Sequence, residues 1–349
     1  MFDTRLIAGP SVMVDNSIGG RRHDFLGRHT ALAQVALKPN VWRRMRYLRE
    51  NEGRAPPIIL AVGDRRRVNA IARKLRKPVF LPETAAKLSN PRIHASHLSS
   101  TIEFGRVAMV IGDYKSVPVL VVETQMGAPA IQVIMSELLS DDLTSNEYKV
   151  GGNRIDLKSK IIIRIGTAGG INCNATPPVK VGDVVNATHS IGATGAIMQS
   201  ILRLEFWHPE SCEAFRARWM NLGSDFTYTS TGYPRVKCSG KIVEAIEAAA
   251  GKLPDGVYQS GGNITKDSLY AELSDETFLN LCRTENCRTT EMELSAIAVC
   301  AREHSSAFGM TSAIVGTLPG SSFAEDEKLK LLAEKRAIEV GLESIRNMI

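Results

Sequence analysis

Three stretches of this chain put arginine, glycine or carboxylate where a strand gives way to a turn, the setting in which an oxyanion or a polyhydroxyl ligand is held. In IIIRIGTAGGI, Arg164 interrupts an apolar run and is followed at once by Thr167, Gly169 and Gly170. An unpaired buried guanidinium costs several kcal/mol (~3–5 when its partner is removed), so Arg164 needs an anion. That anion is either a structural carboxylate or a bound phosphate, which guanidinium grips through paired hydrogen bonds. In AVGDRRRV, an apolar strand stops at Gly63, and the turn into a helix leaves backbone N–H groups free, with Arg67 one helical turn on. The same stretch also reads as an ordinary strand-to-helix turn with a solvated basic start. In TTEMELSAIAVC, Glu291 and Glu293 open a predicted helix in which Met292, Ala296 and Val299 keep a core-facing spacing. Acidic residues there complement the helix dipole, or Glu293 accepts hydrogen bonds from two neighbouring sugar hydroxyls.

The elements that must position these residues follow an alternating order. Apolar runs at residues 58–62, 117–122 and 161–165 and the late AIVGTL run read as strands. Helical patterns lie between most of them: after Pro129, over residues 241–250, and from Glu291 to His304. This order predicts an α/β sandwich around a mixed sheet. Residues 1–57 read as an N-terminal extension, with Gly19 and Gly20, a helix around residues 42–50, and a break at Pro56 and Pro57. The remaining 58–349 form the main domain. Within it, residues 196–232 are irregular and aromatic, as expected of an inserted helical excursion or subunit contact. The last segment spaces Leu331, Ile338, Leu342, Ile345 and Ile349 as an amphipathic helix closing the core.

Composition narrows the function classes. At 349 residues, 44% hydrophobic and 23% charged, the chain is suited to a sizeable buried core. No run reaches the roughly 18 apolar residues of a membrane span, and the first thirty residues lack a secretory apolar block, so a cytoplasmic address and no membrane partner are expected. The six cysteines form no CxxC pair and show no metal-ligand spacing, which predicts neither zinc nor disulfides. The net charge of +6 is local: residues 38–77 carry 13 Lys or Arg against Glu50, Glu52 and Asp64. Only Trp42 and Tyr47 interleave that run, too few aromatics for base stacking, so no nucleic-acid partner is expected.

Taken in order, these stretches resemble the nucleoside phosphorylase-I family, most closely its uridine phosphorylases of protozoan type. GDRRR resembles the family's GDPxR turn, TQMGAP its xxGxGxPS turn, RIGTAGG its RIGTxGG strand end, and EMEL its ribose-binding EMES. The resemblance runs from about Ile58 to the C-terminus and implies a nucleoside phosphorylase-like αβα sandwich. It implies phosphorolysis of a nucleoside, with inorganic phosphate as co-substrate and no metal or organic cofactor. By resemblance, Gly63, Arg67, Arg164 and Thr167 bind phosphate, with Arg106 lent to the neighbouring subunit's site. Glu293 holds the ribose 2′ and 3′ hydroxyls, Met292 packs under the sugar, and Thr167 and Gly169 border sugar and base. A histidine from the partner's N-terminal segment, His23 or His29, reaches the ribose 5′ hydroxyl. The family forms dimers or rings of dimers with shared sites. The N-terminal extension and the aromatic insertion are expected to block ring contacts, which predicts a homodimer, and Arg164 and Glu293 are the implied catalytic pair.

Two departures bear on the base. Purine-cleaving relatives carry a late-strand aspartate that protonates the purine; here Leu318 and Pro319 stand near that place, which favours a pyrimidine. The uracil-holding Gln-x-Arg pair that follows an SDxFY string is also absent: the corresponding KDSLYAELSDE offers Lys266 and Tyr270, with Arg283 or Arg288 as substitutes. The missing pair counts against uracil, but the loop is longer than a purine site needs and the late aspartate is absent, so uridine is the expected substrate. A purine nucleoside phosphorylase, a nucleosidase and a non-catalytic nucleoside-binding protein are the alternatives.

Overall fold

The computed structural model describes residues 56–80, 107–139, 147–150, 153–157, 159–173, 176–192, 217, 220–230, 232–267, 276–318, 321–323 and 326–349. In chain order these form β1 (Ile58–Val62), α1 (Arg65–Ala72), β2 (Arg76–Phe80), β3 (Met109–Tyr114), β4 (Val117–Glu123), α2 (Ala128–Leu138), β5 (Glu147–Val150), β6 (Asn153–Asp156), β7 (Ile161–Ile171) and β8 (Val184–Ile191). There follow β9 (Phe226–Tyr228), β10 (Pro234–Lys237), α3 (Gly240–Ala250), β11 (Tyr258–Thr265), α4 (Glu276–Thr284), β12 (Cys287–Glu291), α5 (Leu294–Glu303), β13 (Ala307–Leu318), β14 (Ser321–Phe323) and α6 (Glu327–Met348).

The four apolar runs become β1, β4, β7 and β13, and they lie together in one sheet because each is buried along most of its length. Main-chain pairing runs β14-β13-β8-β11-β12-β7-β1-β4-β3-β2, and β13 also pairs with β7. The strands β7, β12, β11, β8 and β13 therefore close into a ring, which removes two sheet edges from solvent. Pairings are parallel for β1 with β4 and β7, antiparallel for β12 with β7 and for β13 with β8, so the sheet is mixed, as the alternation predicts.

Helices cover both faces. Successive side chains of a strand point to opposite sides, and on β7 Arg164 reaches the start of α5 while Ile165 lies against Gly341 of α6. A Cβ at Gly341 would stand 2.5 Å from Ile165 Cδ1, so glycine is what lets α6 approach the sheet this closely. The parallel register also matters for chemistry. Val62 lies beside Glu123 on one side and Ile165 on the other, which brings Gly63, Thr124 and Gly166 to the same edge. In open α/β sheets ligands bind at such carboxyl-terminal strand ends.

Some expectations are corrected. Strand β7 continues through the glycines to Ile171 because those residues pair with β12 and β13. Glu291 ends strand β12 and does not open the helix; the β-branched Thr289 and Thr290 hold an extended ladder with β11, and α5 starts at Leu294. On α6 the core face is Ala333, Ala337, Ile338, Gly341, Leu342 and Ile345, while Leu331 and Ile349 are 46% and 53% exposed. Ile338, Leu342 and Ile345 keep the expected core spacing, and the small residues Ala333, Ala337 and Gly341 complete that face. At the end of the aromatic stretch, Phe226 is buried on β9, a short strand pairing with β10. Residues 1–55, with the helix expected around 42–50, lie outside the described residues.

Candidate active site

Where β1 ends, Asp64 caps α1, accepting from the Arg67 N–H through Oδ1 at 2.9 Å. Its other oxygen accepts from Arg67 Nε at 2.7 Å, and Arg67 Nη1 donates to the Ile165 carbonyl at 3.3 Å. The first turn of α1, capped by Asp64, thus folds the Arg67 guanidinium back over Gly63. From the next strand, Arg164 comes to the same place. The point a Cβ would occupy on Gly63 is 3.1 Å from Arg67 Nη2 and 3.3 Å from Arg164 Nη2. Burial, and then the charge of Arg164, lower the pKa of Arg67, while Asp64 opposes them.

The anionic partner of Arg164 is the carboxylate of Glu293. Arg164 Nη2 donates to Glu293 Oε2 at 2.9 Å and Nη1 to Thr124 Oγ1 at 2.8 Å, and both Arg164 and Glu293 are nearly sealed from solvent. Of the two readings open for Arg164, the carboxylate is realised, and that carboxylate is the one matched to ribose binding. Arg164 Nε has no hydrogen-bond partner among the described residues although it is buried. A guanidinium has five N–H donors, so Arg164 retains donors for a further anion at the shared point above Gly63.

Glu293 is the N-cap residue of α5, and its Oε1 accepts from the Gly127 N–H at 2.8 Å. Burial works to raise the Glu293 pKa, but the Arg164 charge and the Gly127 N–H outweigh it and hold the carboxyl below the usual carboxylate range. Two residues earlier, Glu291 is pushed up to about 7 by burial and by the charge of Glu293, against donors from Thr265 and Asn263. The pair therefore holds one firmly ionised carboxylate at the site and one whose charge is disfavoured behind it.

The structure brings Gly63, Arg67, Arg164 and Glu293 together. Thr167 is half-buried on β7 beside Ala313 of β13, and no described hydrogen bond engages its hydroxyl. Gly169 packs against Thr290, with a would-be Cβ 3.3 Å from Thr290 Cγ2. Met292 is half-buried between the two glutamates. Lys266 follows β11, its N–H bonded to the Glu291 carbonyl at 2.9 Å, and burial lowers its ammonium to about 8. Arg106, His23, His29 and Tyr270 lie outside the described residues. Among the described residues no group of His, Cys, Asp and Glu is arranged to hold a metal ion, and no helix is long and apolar enough to cross a membrane.

Two contributors escape a reading of single motifs. Thr124 sits just past β4 with its N–H on the Val62 carbonyl at 2.7 Å, and Gly127 adopts φ 89°, a left-handed value that glycine tolerates. Both fall in TQMGAP, so the signal was the turn itself; which atoms it offers follows from the register of β4 against β1.

This geometry defines a class: an α/β sandwich in which two arginines and a buried carboxylate converge at carboxyl-terminal strand ends. The phosphorylase superfamily matches residues 57–346, and the chain belongs to that family. Among solved structures the fold is similar to a purine nucleoside phosphorylase from Toxoplasma gondii in complex with immucillin-H, at 17% identity and TM-score 0.55, covering 84% of this chain and 92% of that one. It is equally similar to a uridine phosphorylase from Vibrio fischeri ES114 complexed with 6-hydroxy-1-naphthoic acid, at 18% identity and TM-score 0.55, covering 84% and 93%. No curated protein matches the sequence.

Proposed function

We propose that the protein cleaves a nucleoside with inorganic phosphate, releasing the base and ribose 1-phosphate, and that its substrate is uridine. The observation that carries this reading is the convergence of Arg67 Nη2 and Arg164 Nη2 on the space above Gly63, with Arg164 also bonded to Glu293. Each guanidinium also faces a carboxylate, Arg67 Nη2 that of Asp64 at 2.7 Å and Arg164 Nη2 that of Glu293 at 2.9 Å, and the N–H groups they keep besides suit an oxyanion between them. The carboxylate alongside is suited to accept from vicinal hydroxyls.

In this mechanism phosphate lies beneath the sugar, held by Arg67 and Arg164 and by Thr167. As the glycosidic bond stretches, the ribose becomes oxocarbenium-like and the base gains negative charge. Phosphate stabilises the cation and then captures it at C1. Glu293 fixes the 2′ and 3′ hydroxyls, which holds the sugar in line for attack, and Met292 packs under the ring. Lys266, Tyr270 and Gly169 border the base, and a protonated Lys266 donates to the departing pyrimidine. Arg106 and His29 complete the site from a second subunit. Exposure of Met126 in the Gly127 turn and of Val133 on α2, at 72% and 46%, supports a homodimer contact on this side of α2. The reading includes a cytoplasmic address, no metal and no organic cofactor.

Described β13 carries no carboxylate, which supports a pyrimidine over a purine. The test is a substrate panel of uridine, thymidine, inosine and adenosine, with and without phosphate, with products identified. Phosphate-dependent release of uracil and ribose 1-phosphate is expected. Cleavage that ignores phosphate indicates a nucleosidase, and release of hypoxanthine or adenine alone indicates a purine enzyme.

A further inference from the structure

A helix N-terminus leaves its first N–H groups without partners inside the helix, and the N-cap side chain ordinarily accepts one of them. On α5 the N-cap residue is Glu293, and it makes no such bond. Its carboxylate points to Arg164 and Gly127 instead. The task falls to other residues. Glu291 Oε2 accepts from the N–H groups of Glu293 at 2.8 Å and Leu294 at 2.9 Å. Thr265 Oγ1 accepts from the N–H of Ser295 at 3.1 Å. The Glu293 carbonyl accepts from Ala296 and Ile297.

Glu291 is itself clamped. Its Oε1 accepts from Asn263 Nδ2 and Thr265 Oγ1, each at 2.7 Å. Thr289 donates to Asn263 Oδ1 at 2.9 Å, and the hydroxyls of Ser190, Thr265 and Ser295 meet at 2.9 Å. Every one of these side chains is buried, so the network is sheltered from competing water and fixes one arrangement.

We propose that Glu291 and Thr265 are positioning residues that cap α5 from behind and so leave the Glu293 carboxylate turned into the ligand site. This rests on the reading of Glu293 as the ribose-binding carboxylate. With the external cap removed, the N-cap carboxylate has free backbone donors next to it and turns back to satisfy them, as N-cap side chains do. Ligand contact is then lost although Glu293 is still present.

The test uses the full-length protein and the variants Glu291→Gln, Thr265→Val, Glu293→Gln and the double variant Glu291→Gln/Glu293→Gln. The four hydrogen bonds that Glu291 accepts come from Asn263, Thr265 and two backbone N–H groups, and its carboxyl also meets that of Glu293, so Glu291→Gln perturbs the cap and that contact together. Thr265→Val keeps the shape, removes only the hydroxyl and tests the cap alone. Glu291→Gln and Thr265→Val are each expected to lower kcat/KM for uridine by about tenfold or more, the scale of one charged hydrogen bond. The preference for uridine over 2′-deoxyuridine is expected to shrink toward that of Glu293→Gln. The double variant is expected to be no worse than Glu293→Gln, because both changes remove the same interaction. A merely structural role predicts additive losses with the ribose preference intact, and that result overturns the proposal. Crystals of Thr265→Val decide it independently of activity: Glu293 is expected to leave Gly127, and an unmoved carboxylate overturns the capping role. If Glu293→Gln alone leaves turnover unchanged, it is the ribose reading of Glu293 that fails, while the crystallographic arm still judges the cap.

Discussion

Arg164 and Glu293, both almost sealed from solvent, meet at 2.9 Å, so the cation matched to phosphate and the carboxylate matched to ribose form a single ion pair. A ligand that moves one of them acts on the other. Binding of phosphate and of nucleoside is therefore expected to be coupled, each changing the affinity for the other by an equal factor, as titrating one ligand with and without the other would measure.

Replacing Arg164 with alanine is expected to reduce kcat/KM by about a hundredfold or more, the scale of removing a preorganised donor from a charged transition state. The same change strands Glu293 without its counter-charge and is expected to cost about 3–5 kcal/mol of stability. Steady-state kinetics and urea unfolding check the two parts. An active, fully stable variant would remove Arg164 from both roles.

A methyl group at Gly63 would meet Arg67 Nη2 at 3.1 Å and Arg164 Nη2 at 3.3 Å. Guanidinium ends yield more readily than backbone, so Gly63→Ala is expected to fold normally while pushing the arginines from their shared point. The KM for phosphate is expected to rise about tenfold, a 1.4 kcal/mol loss, with the midpoint of unfolding little changed. A variant with wild-type phosphate dependence would show that the anion sits elsewhere.

Much of the site was legible locally, and the parts that were not share one cause. Strands β1, β4, β7 and β13 announce themselves as apolar runs bounded by glycine or polar residues, and Arg164 and Gly63 stand out against them. What Arg164 would pair with was not legible, because Glu293 lies 129 residues away and the contact depends on how α5 is seated. Glu291 read as a first-turn acid, since such acids ordinarily serve the helix dipole; only pairing of β12 with β11 shows it as a strand end. On α6, Leu331 looked like core by spacing, yet the closest approach is set by Gly341 against Ile165, a constraint in three dimensions only.

That constraint gives a separate test of the fold. Gly341→Ala would place a methyl 2.5 Å from Ile165 Cδ1 and 3.5 Å from Thr311 Cγ2. The overpacking is expected to cost about 1–3 kcal/mol, read as a lower denaturation midpoint. A neutral or stabilising effect, as helix propensity alone would give, would mean α6 sits further from the sheet.

Lys266 supplies a pH signature. Burial lowers its ammonium from the ordinary 10.5 to about 8, so in the folded protein it loses its proton as pH rises through that value. If it donates to the departing base, kcat/KM for uridine is expected to fall above about pH 8, and Lys266→Met is expected to lose that limb. Stability should run the other way. Between about 8 and 10.5 the unfolded chain binds the proton that the folded chain has released, so this residue makes stability rise with pH across that window. A rate that stays flat to pH 10 in the wild type would exclude Lys266 from the reaction.

The occupancy of the space above Gly63 decides the central claim, and a crystal structure of the protein soaked in phosphate measures it directly. The expected result is a phosphate ion with oxygens about 3 Å from nitrogens of both Arg67 and Arg164, a hydrogen-bonding distance. An ordered phosphate bound elsewhere, or that space filled only by the Arg164–Glu293 pair at high phosphate, would contradict the phosphorylase mechanism.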